Sequence, residues 1–145
     1  KTPGVIYQGC FNMLQRFYEE NGMFDMLSDT GIGAICFSPL AQGLLTDRYL
    51  SGNIPTDSRA ARDFSLKASS ITPELLQKIQ KLNALAAERG QSLAQMALAW
   101  TLKNDLVTSV IVGASSIAQI DDNLQAINNT EFSAEELALI DSIIG

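Results

Sequence analysis

Three short apolar runs constrain this chain more than anything else in it. Residues 4–8 (GVIYQ), 33–37 (GAICF) and 107–112 (VTSVIV) are β-prone, and each is followed by a helix pattern. GAICF carries no polar side chain on either side, so as a strand it needs cover on both faces. Strands joined through helices run parallel to one another. The pattern therefore predicts a parallel sheet wrapped by helices. Three such strands alone leave apolar edges unpaired, so the chain reads as part of a larger α/β sheet or barrel.

The helix signals are sharpest in the second half. Residues 11–29 are helix-like but broken at Asn21-Gly22, which leaves a short helix, MFDMLSDT, stopped by Gly31. Thr72 and Pro73 then open a helix in which Leu75, Leu76, Ile79, Leu82, Leu85 and Ala86 keep helical spacing up to Gly90. Ser92 with Gln95, Ser116 with Gln119 and Ser133 with Glu136 each have the spacing of a capping box. They open LAQMALAWTLKND, IAQIDDNL and AEELALIDSII respectively. The stripe Met96, Leu98, Trp100 reads as core. Between the second strand and Thr72 lies a long stretch, about 38–72, rich in Gly, Ser, Pro and Arg; a loop of that length is functional or disordered.

Composition narrows the partners. With 46% hydrophobic and 18% charged residues over 145 positions, the chain suits one globular unit, 1–145. A formal net charge of −6 argues against nucleic acid, which needs clustered Lys and Arg. No apolar run approaches the roughly 20 residues of a spanning helix, so no membrane role is expected. Cys10 and Cys36 form no CxxC pair and read as reduced thiols of a cytoplasmic protein. There is no histidine, which removes the commonest metal ligand and general acid; no metal site is expected.

One stretch asks for more than a fold. In SVIVGASSIAQIDDNL (109–124) a strand runs into a Gly-Ala-Ser-Ser turn and directly into a helix. Two readings stay open. Ser116 caps the helix and nothing else happens there, or an anion sits on the helix N-terminus, with Gly113 allowing close approach and Ser115 adding a hydroxyl. Gln119 and Asn123, four residues apart, share a helix face and could address the same ligand.

Together with FSPLAQGLLTDRYLSG (37–52) and GQSLAQMALAW (90–100), that stretch resembles the C-terminal half of an aldo-keto reductase. The similarity is to the branch of bacterial glyceraldehyde-3-phosphate reductase-like enzymes and potassium-channel β subunits, and the motifs follow in order across nearly the whole chain. It implies a partial (β/α)₈ TIM barrel, about the last three β/α units plus a C-terminal helix. A complete barrel takes about 250 residues.

The resemblance also implies a cofactor, NADPH, and places this chain's residues around it. Gln8 would bond the nicotinamide carboxamide and Phe37 would stack on the ring. Ser38, Pro39, Leu40 and Gly43 would follow the pyrophosphate path, and Arg48 would pair with phosphate. Gly113, Ser115, Gln119, Asp122 and Asn123 would hold the adenosine end with its phosphate. Two positions depart from the family pattern: Phe11 stands where a Tyr is usual, and Asp47 where Gly is more usual.

None of the family's acid chemistry is implied here. The Tyr, Lys, Asp and His that serve it belong to the N-terminal half of the barrel, so this segment carries no catalytic residue. The resemblance implies an NADPH-dependent oxidoreductase acting on a small aldehyde or ketone, completed by the missing N-terminal half and possible as a homo-oligomer. The other open reading is a non-catalytic binding or regulatory subunit, or an inactive barrel fragment.

Overall fold

The computed structural model describes residues 4–62 and 66–145, so positions 63–65 of the long loop lie outside the described residues. Three strands, β1 (Ile6–Cys10), β2 (Gly33–Phe37) and β3 (Val107–Ile111), form one parallel sheet in sequential order. The helices are α1 (Phe17–Glu20), α2 (Met23–Thr30), α3 (Pro73–Glu88), α4 (Leu93–Leu102), α5 (Ile117–Leu124) and α6 (Ala134–Ile144). Sequential parallel strands joined by helical crossovers make an arc of a barrel wall.

Local chemistry accounts for most boundaries. Gly31 adopts φ 67° and closes α2, while the Thr72 hydroxyl accepts from the Leu75 amide with Pro73 at the first helical position of α3. Ser92/Gln95 and Ser133/Glu136 form both halves of their capping boxes. At α5 only one half forms, because the Gln119 side chain is used elsewhere. The strand expected over 4–8 instead occupies Ile6–Cys10, since its register with β2 begins at Ile6↔Gly33. β3 carries one extra residue, Thr108, between Val107↔Ala34 and Ser109↔Ile35. Its hydroxyl lies over Gly33, where an added Cβ would sit 2.5 Å from it.

The sheet is covered on one face only. Ala34, Cys36 and Val107 are buried on the helical side, together with Phe11, Ile79, Leu82, Met96, Leu98 and Trp100. The other face presents Ile6, Gln8, Phe37 and Ile111 to solvent. The expectation of cover on both faces thus holds for the helical face alone. An exposed stripe of Ile117, Ile120, Leu124 and Ile127 continues from α5 into the short 3₁₀ turn after it.

Candidate functional site

Parallel strands bring their C-terminal ends to one side of the sheet, and the loops leaving β1, β2 and β3 gather there. Across the open face the rows are Gln8–Ile35–Ser109 and, one step nearer those loops, Cys10–Phe37–Ile111. Gln8 therefore stands in mid-strand rather than at the strand end, on the same face as Phe37 and diagonal to it.

The loop after β2 is strained. Ser38, Ala41 and Gln42 have φ of 56°, 46° and 61°, and Gly43 follows at 99°. Left-handed backbone costs a non-glycine residue about 1–3 kcal/mol, so three within five positions persist only because their surroundings hold them. The Ser38 carbonyl accepts from the Ala41 amide and the Asn12 side chain, both at 2.9 Å. The Gly43 carbonyl accepts from the Thr46 hydroxyl at 2.7 Å. Pro39 is buried, and Leu40 packs against the core. A mostly apolar cleft of about 320 Å³ opens between this loop and the one after β1, lined by Cys10, Gln15, Phe37, Ser38, Gln42 and Leu44. The Gln42 Oε1 is buried there with no hydrogen-bond partner among the described residues.

Neither cysteine is primed as a nucleophile. Burial pushes the Cys10 thiol up against the opposing pull of the Ser38 hydroxyl, and its Sγ donates to Gln15 Oε1 at 3.0 Å. Burial, with Cys10 nearby, pushes Cys36 up to about 11.

After β3, the Ser115 backbone N–H and hydroxyl both point at one oxygen, Gln119 Oε1, at 2.8 and 3.1 Å. The Ser116 hydroxyl caps α5 by accepting from the Gln119 amide at 3.3 Å. The amides of Ile117 and Ala118 have no acceptor within the helix, as at any helix start. Above the turn lies a residue that sequence reasoning missed: an added Cβ at Gly113 would stand 4.0 Å from the Arg59 guanidinium. Arg59 belongs to the long loop 38–72, and no spacing in the sequence ties it to residue 113.

Two further expected site residues already have protein partners. Arg48 is paired with Asp57 at 2.6 Å. Asp122 accepts from Gln95 Nε2 at 2.6 Å and from the Ser92 hydroxyl at 3.3 Å, which docks α5 on the start of α4. Arg59 is brought over Gly113 and Ser115 is bonded to Gln119, while Asn123 lies one turn along α5 from Gln119. Phe37, Ser38 and Gly43 gather with Cys10 and Asn12 around the strained loop. Asn12 falls within the motif that begins at Gln8 and includes Phe11, and the sequence assigned it no role; its polar side chain is buried. Among the described residues there is no group of His, Cys, Asp and Glu able to hold a metal, and no helix is long and apolar enough to cross a membrane.

A model of the Aldo/keto reductase family matches residues 1–145. The chain is 49% identical over 149 aligned residues to the L-glyceraldehyde 3-phosphate reductase of Escherichia coli O157:H7, covering 99% of this chain and 42% of that protein. It is 39% identical over 126 residues to a probable voltage-gated potassium channel subunit beta of Oryza sativa subsp. japonica, covering 86% of this chain and 38% of that protein. Among solved structures, the holo form of the aldo-keto reductase AKR11C1 from Bacillus halodurans superposes with a TM-score of 0.69 at 28% identity. That match takes in 96% of this chain and 42% of the neighbour's. The chain thus spans about two fifths of the length of these relatives, and its three strands are the corresponding arc of their barrel. A family match over every residue, on a parallel sheet of this topology, shows that the chain belongs to the aldo/keto reductase family.

Proposed function

We propose that this chain is the cofactor-binding C-terminal part of an NADPH-dependent oxidoreductase that reduces a small aldehyde or ketone. The observation that carries the reading is the turn after β3. There the Ser115 N–H and hydroxyl aim at one point before α5, and the Arg59 guanidinium lies over Gly113 two residues earlier, a set of donors that suits a phosphate. Gln119 Oε1 now takes the place a phosphate oxygen would take, so the donors are already aimed and the Gln119 amide has only to turn aside. NADPH carries such a phosphate on its adenosine ribose, and NADH does not.

When bound, the cofactor supplies a hydride to the carbonyl carbon. Gln8 and Phe37 orient the nicotinamide from the open face, and the strained Ser38–Gly43 loop follows the pyrophosphate. Arg48 exchanges Asp57 for phosphate. Asp122 and Asn123 belong to the adenosine end, Asp122 through its hold on Gln95 and Ser92. The proton for the carbonyl oxygen comes from an acid outside this segment, in the N-terminal half of the barrel, which also covers the bare face of the sheet. Such an enzyme works in the cytoplasm, as a homo-oligomer or alone.

The likeness to a channel β subunit supports a second reading, in which the same cofactor site serves a regulatory subunit. Titrating the full chain with NADPH and NADH, then assaying turnover on short aldehydes, separates the two. NADPH binding at least about tenfold tighter than NADH, with turnover, is expected of the reductase. Binding without turnover favours the regulatory subunit, and no binding of either nucleotide refutes both.

A further inference from the structure

We infer that Asn12 is a positioning residue for the nicotinamide end of the cofactor, acting by holding the left-handed backbone of Ser38. This role rests on the nicotinamide-cofactor reading above. The β1–β2 pairing ends with the Phe11 amide donating to the Phe37 carbonyl at 3.4 Å. Ser38 then leaves the strand path at φ 56°, so no backbone rung can follow it. In place of that rung, Asn12 Nδ2 reaches across and donates to the Ser38 carbonyl at 2.9 Å.

The rest of Asn12 is committed to the same task. Its Oδ1 accepts from the Leu14 amide at 2.9 Å, and its backbone exchanges hydrogen bonds with Gln15 at 3.2 and 3.0 Å. The loop after β1 is thereby fixed, and the side-chain amide is aimed at the loop after β2. At 2% exposure, a leucine of similar size would fill this space without burying a polar group. What the position uses is the amide's ability to accept on one side and donate on the other.

Ser38 is the residue that needs this help. A serine does not settle in left-handed backbone unaided, as a glycine would. The Ala41 amide also bonds the Ser38 carbonyl, but that bond lies within the turn and does not tie the turn to β1. Among the described residues, Asn12 makes the hydrogen bond that ties the Ser38 carbonyl to the loop after β1, so it fixes how the chain turns as it leaves Phe37. The adenosine end is built separately, from the β3–α5 turn and Arg59, and among the described residues it shares no hydrogen bond with Asn12.

That separation supplies the test. Isothermal titration of the full chain uses NADPH and adenosine 2′,5′-bisphosphate, which has only the adenosine end. Asn12→Ala is expected to weaken NADPH about tenfold and to leave the bisphosphate within about twofold. Asn12→Asp keeps the acceptor for Leu14 and loses the donor for Ser38, so it shows the same split even if the alanine variant does not fold. Equal weakening of both compounds, or of neither, overturns the role. In a Ser38→Gly background, where glycine takes this φ unaided, the Asn12→Ala effect on NADPH shrinks to under about threefold. Persistence of the full effect there also overturns it. An unsubstituted chain that binds neither compound overturns the cofactor reading itself, a failure distinct from one seen only in the variants.

Discussion

The Gln119 side-chain oxygen accepts two hydrogen bonds from Ser115, one from the backbone N–H at 2.8 Å and one from the hydroxyl at 3.1 Å. Neither bond caps the helix, since Ser116 does that. The capping reading and the phosphate reading of this turn therefore fall on adjacent serines and can be tested apart. Ser115→Ala is expected to weaken NADPH about tenfold and to leave NADH within about twofold. Ser116→Ala is expected to cost about 1 kcal/mol of stability with the NADPH/NADH ratio unchanged. Fluorescence titration with both nucleotides and a thermal melt read the two outcomes. Equal losses for NADPH and NADH in Ser115→Ala would remove the phosphate from this turn.

Arg89 is the main lock between the α3–α4 corner and α6. Its side chain is 4% exposed, pairs with Glu136 at 2.6 Å, lies 3.8 Å over the Phe132 ring and donates to the carbonyls of Asn129 and Glu131. Arg89→Met removes the guanidinium from the Glu136 carboxylate, which keeps the Ser133 amide, from the Asn129 carbonyl, which keeps Gln91 Nε2 at 3.1 Å, and from the Glu131 carbonyl, an expected loss of about 3 kcal/mol in chemical denaturation.

The same pair gives stability a pH dependence. Burial opposes ionisation of Glu136, but the Ser133 amide and the Arg89 guanidinium outweigh it and hold the carboxyl below its ordinary value. A depressed carboxyl contributes stability above its unfolded value of about 4.3, which is lost as pH falls through the folded value. The stability gap between the native chain and Arg89→Met is expected to narrow from neutral pH into this acid range, as read from denaturation curves. A gap that stays constant with pH would mean that the loss is one of packing alone.

Cys36 sets an alkaline limit. Its thiol is raised to about 11, whereas an unfolded thiol titrates near about 8.5. A raised value contributes stability that is complete below the unfolded pKa and declines as pH rises towards the folded one, by about 1.4 kcal/mol per pH unit. Between about pH 8 and pH 10 the native chain should thus lose about 2 kcal/mol more than Cys36→Ala does. Parallel loss in both proteins would show that Cys36 does not titrate on unfolding.

Residues 1–145 alone are expected to self-associate. The open face and the stripe of Ile117, Ile120, Leu124 and Ile127 leave apolar surface in water, with Ile117 77% and Ile127 66% exposed. Sedimentation should show association across micromolar concentrations, reduced in Ile120→Glu. A compact monomer throughout that range would count against the open face as a docking surface.

Much of the fold was legible because its signals are local. Gly31, Thr72-Pro73 and the boxes at Ser92 and Ser133 act on amides within four residues, so the sequence displays both donor and acceptor. GAICF became β2 at the expected positions, since an apolar pentapeptide between turn residues has few alternatives. The first strand came out two residues late because its limits depend on register with β2, which lies over twenty residues away.

The site was legible only in its consecutive parts. The turn at Gly113–Gln119 and the loop at Phe37–Gly43 can be seen in the sequence because each is one stretch of chain. Arg59 over Gly113, Asp57 on Arg48 and Asp122 on Gln95 cannot, because each joins positions that only folding brings together.

By itself, the sequence determined the elements, their order and their parallel sense, since periodicity, caps and crossovers act over short distances. Tertiary structure alone decided which face of the sheet stayed bare, where the long loop laid Arg59, and that Asn12 would hold Ser38. Those outcomes depend on which distant groups meet when the backbone closes, and a buried amide finds its partner across space, not along the chain.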